Sequence, residues 1–283
     1  MIPKTIHFCW FGGKPVPEEL QLCRPTWQTH CPDYRIVRWD ESNFDVNAHE
    51  FTRTAYSRRM YSKVSNYVRA WVLHRHGGIY LDTDVEVKRS LDAFLHHKAF
   101  SGFEAPGLSF AALWASEPGH SWPLSVLNHY DRPVADDEPT NTEITTDILR
   151  VQFGIDPNRD ELQEGADGVV IYPSSYFTLD LSPNFATHHF SGLWLPNRPD
   201  RSYKSHVHIN YFQSQLERKE LHGSRLEAAR EFALSIRVAD QIRLLLSLFG
   251  SIVRVVVRRA PGKLYRAIRA RVGGRRTGQT ASA

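Results

Sequence analysis

The stretch from Ser65 to Glu86 constrains the fold of this 283-residue chain more than any other part of its sequence. Apolar residues recur at helical spacing through its first half. Gly77-Gly78 then ends the pattern, because glycine takes the left-handed cap conformation without a Cβ penalty. The next run, Ile79-Tyr80-Leu81, is rich in strand formers and leads into Asp82 and Asp84. The stretch therefore predicts a helix, a glycine turn and a strand that ends at an Asp-x-Asp pair.

This Asp-x-Asp pair is the first candidate site. Two carboxylates two residues apart on an extended chain point to the same side, about 7 Å apart. That geometry suits oxygen ligands shared between a divalent cation and a sugar or phosphate. Most isolated Asp-x-Asp pairs are solvated loop carboxylates, so the context decides. Ser65, Asn66 and Arg69 share one face of the preceding helix, and open α/β sheets hold ligands at the ends of their strands.

The combined pattern is Ser-Asn-Tyr-Val-Arg, three residues, Leu, three residues, and Gly-Gly-Ile-Tyr-Leu-Asp-Thr-Asp. It resembles the core signature of glycosyltransferase family 32, which includes bacterial capsular-polysaccharide sugar transferases and fungal α-mannosyltransferases. The resemblance implies an α/β chain with a GT-A (Rossmann-like, nucleotide-sugar-binding) domain over residues 1–234. It also implies a UDP- or GDP-sugar donor, Mn²⁺ or Mg²⁺, and retention of the anomeric configuration. The expected reaction moves a hexose to a hydroxyl of a glycan or lipid-linked acceptor in polysaccharide biosynthesis.

The resemblance also implies roles for individual residues. Asp82, Asp84 and Arg69 would carry catalysis, with Asp84 as the metal ligand and Asp82 on the ribose or donor sugar. Adjacent histidines on an extended chain point to opposite sides, so one member of His188-His189 is a ligand candidate and the other is structural. The family motif favours His189 as the metal contact, whereas ordinary surface or core histidines are the alternative. The donor contacts implied are Trp10, Phe11, Gly12, Ser65, Asn66, Arg69, Tyr80, Asp82 and Trp194.

The amino-terminal part predicts a buried first strand over Lys4–Phe11, ended by Gly12-Gly13. The loop after the first strand commonly meets the nucleotide in α/β proteins. By resemblance Trp10 would contact the base, and a core tryptophan is the alternative. The other predicted elements are a helix over Pro15–His30 broken at Pro25, a strand over Arg35–Asp40, a short helix over Leu91–Phe94, a strand over Phe100–Glu104, helices over Trp122–Tyr130 and Glu143–Phe153, and a strand over Val169–Tyr172.

The charge of the chain is unevenly distributed. Residues 235–283 hold 11 Lys and Arg against one Asp, whereas residues 1–234 hold 24 basic and 30 acidic side chains. This asymmetry argues against a basic nucleic-acid groove on the main domain. The segment 235–272 is basic and amphipathic. It suits an anionic membrane surface, with a packing helix as the alternative, and 273–283 is predicted to be disordered.

Three cysteines in no metal or disulfide spacing suggest a reducing compartment. No secretory signal is visible before the first strand. The sequence thus predicts a cytoplasmic protein, peripheral on the inner face of the plasma membrane.

Two residues depart from the family pattern. Asn66 stands where aspartate is common, which removes a charge from a hydrogen-bond acceptor. Leu193 stands where serine is frequent. These departures leave a second hypothesis open, namely a catalytically weakened or inactive nucleotide-sugar-binding or scaffold protein.

Overall fold

The computed structural model describes residues 1–17, 21–105, 107–132, 139–191 and 246. Its centre is a seven-stranded sheet in the order β2-β1-β3-β6-β5-β8-β7, in which β2, β1, β3, β5 and β8 run in one direction and β6 and β7 in the other. The predicted α/β class is confirmed. The strands of this sheet are β1 (Thr5–Cys9), β2 (Arg35–Trp39), β3 (Gly78–Leu81), β5 (Ala99–Ala105), β6 (Leu108–Ser116), β7 (Gln163–Glu164) and β8 (Val169–Tyr172).

A second sheet of two strands pairs β4 (Val85–Val87) with β9 (Ala186–His188) in antiparallel register. The chain therefore leaves the large sheet after Leu81 and enters the small one at Val85. Asp82 and Asp84 lie in the tight turn between the two sheets, closed by the Val85 N–H donating to the Asp82 carbonyl at 3.1 Å. The extended Asp-x-Asp geometry expected from the sequence is wrong, because the strand is interrupted there.

Helices cover both faces of the large sheet. One buried cluster packs Val68, Trp122 and Ile148 against Tyr80 and neighbouring sheet residues. The other packs residues such as Trp27 and Phe177 against the opposite face. The helices are α1 (Arg24–His30), α2 (Glu50–Ser57), α3 (Tyr61–His76), α4 (Ser121–His129), α5 (Asn141–Phe153) and α6 (Ser174–Phe177), with 3₁₀ turns at Asp92–Phe94 and Ala166–Gly168.

Two predicted helix starts differ from the structure. The expected break at Pro25 is instead the first turn of α1, where proline is tolerated because its missing N–H would be unpaired anyway. Helix α5 begins at Asn141, two residues before Glu143, because Thr140 and Glu143 form a capping box.

Gly77 and Gly78 connect α3 to β3 as the sequence predicts. Gly77 caps the helix at φ +63°, and a Cβ at Gly78 would lie 2.6 Å from the Thr5 carbonyl oxygen of β1. Gly78 also has a positive φ, +102°, and a Cβ at Gly77 would lie 2.6 Å from Pro118 Cδ. Glycine is therefore needed at both positions for conformational and steric reasons.

No helix among the described residues is long and apolar enough to cross a membrane. Leu193, Trp194, the end of the predicted main domain, the basic segment 235–272 and the tail 273–283 lie outside the described residues, apart from residue 246.

Candidate active site

Three side chains converge at the turn between the two sheets. Asp82, Asp84 and His188 each offer a ligand atom, and these atoms all lie within 4.8 Å of one another. The turn brings the carboxylates together at the carboxyl edge of β3, and β9 delivers the imidazole from a distant part of the chain. Carboxylate oxygens and an imidazole nitrogen are ligands that bind divalent cations.

Asp82 is held from one side by α3 and β3. The Arg69 guanidinium, 6% exposed, donates from Nη2 to Asp82 Oδ1 at 3.0 Å and from Nη1 to Oδ2 at 3.4 Å. The Tyr80 hydroxyl donates to Oδ1 at 3.1 Å, and the Arg69 guanidinium lies 4.7 Å from the centre of the Tyr80 ring. These contacts orient the Asp82 carboxylate and require Arg69 to stay charged within the protein.

Asp84 is buried, and its partners come from the end of β9 and from the segment that follows it. His188 Nε2 lies 3.3 Å from Asp84 Oδ1, and the Ser191 backbone N–H donates to Oδ2 at 2.8 Å. Burial by itself raises the pKa of Asp84, but the His188 charge and the hydrogen bonds outweigh it and hold that pKa well below its usual range. For His188, burial lowers the pKa, whereas the charge of Asp84 and its hydrogen bond raise it above its usual value.

His188, and not the predicted His189, joins the two aspartates. In the β4–β9 pair His188 lies opposite Val85, and the His189 N–H donates to the Asp84 carbonyl at 3.0 Å. The His189 ring points away and lies 2.9 Å from Glu86 Oε2. The two rings lie on opposite sides, as expected for adjacent residues of a strand, and the strand register places His188 rather than His189 beside the aspartates.

The loop after β1 lies beside the start of α3. The Gly12 N–H donates to Glu41 Oε1 at 2.6 Å, and the Tyr56 hydroxyl donates to the same oxygen at 2.9 Å. A Cβ at Gly12, where φ is +95°, would lie 2.5 Å from the Tyr61 ring. Glycine therefore lets the loop pass close over this ring, and Glu41 connects the loop to α2.

The remaining predicted donor residues differ in accessibility. Trp10 is half-buried and its indole N–H donates to the Lys14 carbonyl at 2.6 Å. Phe11 is buried against Phe44 and supports the loop from the core side. Ser65 and Asn66 are half-buried on the same helix as Arg69.

The donor set of Asp82, Asp84 and His188 fits a divalent cation. Two carboxylates this close repel each other, and the pKa of Asp82 is accordingly raised, first by burial and then by Asp84, although Arg69 opposes the rise. A cation at this position would relieve that repulsion and would compete with the proton for the His188 nitrogen. Asp84 and His188 are the direct ligand candidates, because Asp82 already pairs with Arg69.

Comparison with known proteins identifies this part of the chain. Residues 17–101 match the family described as the glycosyltransferase sugar-binding region containing a DXD motif. The DXD of this region is Asp82-Thr83-Asp84, and the α/β sheet with the DXD at its carboxyl edge confirms the GT-A class expected from the sequence.

Two curated relatives of this chain have mannosyl transfer in their names. The chain is 32% identical over 135 residues to inositol phosphoceramide mannosyltransferase 3 of Schizosaccharomyces pombe, covering 46% of this chain and 38% of the relative. It is 30% identical over 145 residues to mannosyl phosphorylinositol ceramide synthase SUR1 of Saccharomyces cerevisiae, covering 47% and 36%. The chain thus spans less than half the length of these relatives.

A solved structure described as PaToxG glycosyltransferase is also similar to this chain. It superposes with a TM-score of 0.44 and 16% identity, over 53% of this chain and 68% of that chain.

Sequence reasoning gave no role to Ser191, which reaches Asp84 only through a tertiary contact. The adjacent histidines were the visible signal for His188, which lies beside the two aspartates.

Proposed function

We propose that this chain is a metal-dependent, retaining glycosyltransferase that moves a sugar from a nucleoside-diphosphate sugar to a hydroxyl of a glycan or lipid-linked acceptor. The observation that carries the proposal is the convergence of Asp82 and Asp84, from the DXD region, with His188 from β9. The chemical demand of such a reaction is electrostatic, because the nucleoside diphosphate leaves with additional negative charge. A divalent cation, when bound, supplies positive charge to that leaving group.

The chain's own residues divide the remaining work. Asp84 and His188 would hold the cation, and the Ser191 N–H fixes the orientation of the Asp84 carboxylate. Asp82, fixed by Arg69 and Tyr80, would accept hydrogen bonds from the ribose or the donor sugar, or would meet the cation through water. The loop of Trp10 and Gly12 would bind the nucleotide base.

Mannose is the first sugar to test, because the names of the curated relatives give mannosyl transfer. Those names also contain an inositol phosphoceramide, so a lipid-linked polyol is one acceptor class to test here. Peripheral location at the inner membrane face is part of the proposal. Its support is the basic amphipathic segment 235–272, which contains no run of about 20 apolar residues.

The second candidate function is donor binding without turnover. It rests on Asn66, which lies half-buried on α3 one turn before Arg69, where a charged acceptor would strengthen a hydrogen bond to a sugar hydroxyl. Replacing Asn66 by Asp separates the two functions. If the wild-type chain shows no turnover and Asn66→Asp gains it, the wild-type chain is a binding protein. Turnover by the wild-type chain establishes the transferase.

The deciding experiment measures binding and turnover in the same preparation. GDP, UDP and their common sugars are screened by thermal shift with and without Mn²⁺, since a ligand of the folded state raises the melting temperature. Hits are then assayed for sugar release. Asp84→Asn should abolish the Mn²⁺-dependent shift, and Asp33→Asn, an exposed site after α1, should leave it intact. A wild-type chain without any Mn²⁺-dependent shift would refute the proposal.

A further inference from the structure

Strand β5 ends in a β-bulge, and the proposed function gives this bulge no role. Phe103 pairs with Ser109, whereas Ala105 pairs with Leu108, so β5 advances two residues where β6 advances one. Glu104 is the extra residue. Bulges of this kind bend a strand, and beside active sites they redirect a side chain. Glu104 is only 8% exposed, in a strand that is buried along its whole length.

The bulge lies at the same edge of the sheet as the DXD. Strands β3 and β5 run in the same direction with β6 between them, so their carboxyl ends are about 10 Å apart at ordinary strand spacing. Thr178 connects the end of β5 to the metal-ligand candidate His188. Its hydroxyl donates to the Phe103 carbonyl at 2.8 Å, and its own carbonyl accepts from the His188 N–H at 3.1 Å.

Among the described residues the group that converges within 4.8 Å consists of Asp82, Asp84 and His188. Glu104 thus lies beside the metal-ligand candidates rather than within their group.

The chemistry of a carboxylate in this position is specific. It accepts hydrogen bonds from hydroxyl groups, and its charge makes those bonds about twice as strong as neutral ones. The order of strand ends along the edge is β1, β3, β6 and β5. The loop after β1 is the nucleotide candidate and the end of β3 is the diphosphate candidate, so the end of β5 lies on the side of the diphosphate candidate away from the nucleotide.

We propose that the Glu104 carboxylate binds a hydroxyl of the acceptor and orients that acceptor toward the sugar held at Asp82 and Arg69. The inference rests on the proposed function and deepens it, because it assigns an acceptor contact. Glu104 acts as a hydrogen-bond acceptor, and no proton transfer to it is required.

The test separates acceptor binding from donor binding. Wild type, Glu104→Gln and the control Glu117→Gln are compared with GDP-mannose and Mn²⁺. Water serves as one acceptor, and methyl α-mannoside or myo-inositol as the other. Glu117 suits the control because it lies at the opposite edge of the sheet, where its side chain pairs with the amino terminus at 3.3 Å. We expect Glu104→Gln to keep Mn²⁺–GDP binding and sugar release to water within twofold and to lose at least tenfold in transfer to the added acceptor.

Two other outcomes would refute the inference. Equal losses in hydrolysis and in transfer would mean that Glu104 contacts the donor, and unchanged transfer would mean that Glu104 does not contact the acceptor. If Glu104→Gln does not fold, Glu104→Asp, which keeps the charge on a shorter side chain, should fold and show the same selective loss of transfer.

A wild-type chain without Mn²⁺–GDP binding would refute the proposed function. Saturation-transfer NMR with methyl α-mannoside and with myo-inositol then tests Glu104 by itself. Binding of either probe that is present in wild type and lost in Glu104→Gln supports the contact, and any other result refutes it.

Discussion

Replacing Arg69 by methionine tests whether the buried ion pair under the DXD organises the site. Methionine keeps an unbranched apolar stem and removes the guanidinium that contacts Asp82 at 3.0 and 3.4 Å. Arg69 is buried, and its side chain also packs on the Tyr80 ring. The variant therefore leaves the Asp82 carboxylate without its main cationic partner in a site that it shares with Asp84.

The expected magnitude follows from the burial of the two partners. Breaking a fully buried ion pair by removing one partner costs roughly 3–5 kcal/mol. The Asp82 side chain is 28% exposed, so water recovers part of its hydration, and we expect a loss of about 2–3 kcal/mol in the free energy of unfolding. Asp82→Asn should be destabilising too, and the double variant should lose less than the sum of the single losses, by about 1–3 kcal/mol.

Urea unfolding of the four proteins measures these free energies by linear extrapolation. Arg75→Met is the matched control, because Arg75 lies on the same helix, is exposed and only covers the Trp71 ring. We expect that control to lose no more than about 1 kcal/mol. Equal losses in Arg69→Met and Arg75→Met, or a coupling energy near zero, would contradict the argument that the Arg69–Asp82 pair is integral to the fold.

Three further predictions address other parts of the molecule. His188→Asn should weaken direct Mn²⁺ binding at least tenfold in calorimetry, whereas His189→Asn should change it less than twofold; the opposite ranking would restore the sequence-based choice. Gly12→Ala should cost about 1–3 kcal/mol more than Gly13→Ala, because both have positive φ but only the first Cβ meets a tyrosine ring; equal unfolding free energies would contradict the contact. Burial lowers the pKa of His7 from 6.5 to about 4. Between pH 6.5 and about 4 the His7 ring therefore binds a proton in the unfolded chain but not in the folded one. The free energy of unfolding should fall by up to roughly 3 kcal/mol as the pH drops from 7 to 4. His7→Gln should remove that part of the acid sensitivity in unfolding curves, and an unchanged pH profile would refute it.

The sequence predicted most of what depends on local pattern. The helical period before Gly77-Gly78 predicted α3, because apolar spacing and glycine conformational freedom act over a few residues. The apolar run over 79–81 predicted β3 in the same way. The Asp-x-Asp at the end of that strand was visible for the same reason, and with its neighbours it predicted the similarity to the DXD region of glycosyltransferases.

Other features of the site depended on contacts between distant segments. Phe11 and Tyr80 are among the predicted donor contacts, yet both side chains are buried and support the site from the core side. Periodicity could not show this, because burial of a strand end depends on which helices cover it. The helix start at Arg24 was missed since Pro25 suits either a break or a first turn, and only the packing of Trp27 settles the choice.

The sequence alone determined that a helix and a strand present two carboxylates, with a histidine pair elsewhere in the chain as the third part of a candidate cation site. Tertiary structure decided that the strand breaks at Asp82, that His188 rather than His189 faces Asp84, and that Glu104 is turned out of the β5 ladder. The physical reason is common to all three. Side chains in strands alternate with a period of two, so a one-residue change of register or a single bulge reverses which side chain reaches a site. The register of the β4–β9 pair is set between segments about a hundred residues apart, which no local pattern encodes, whereas the bulge at Glu104 arises in the pairing of β5 with β6.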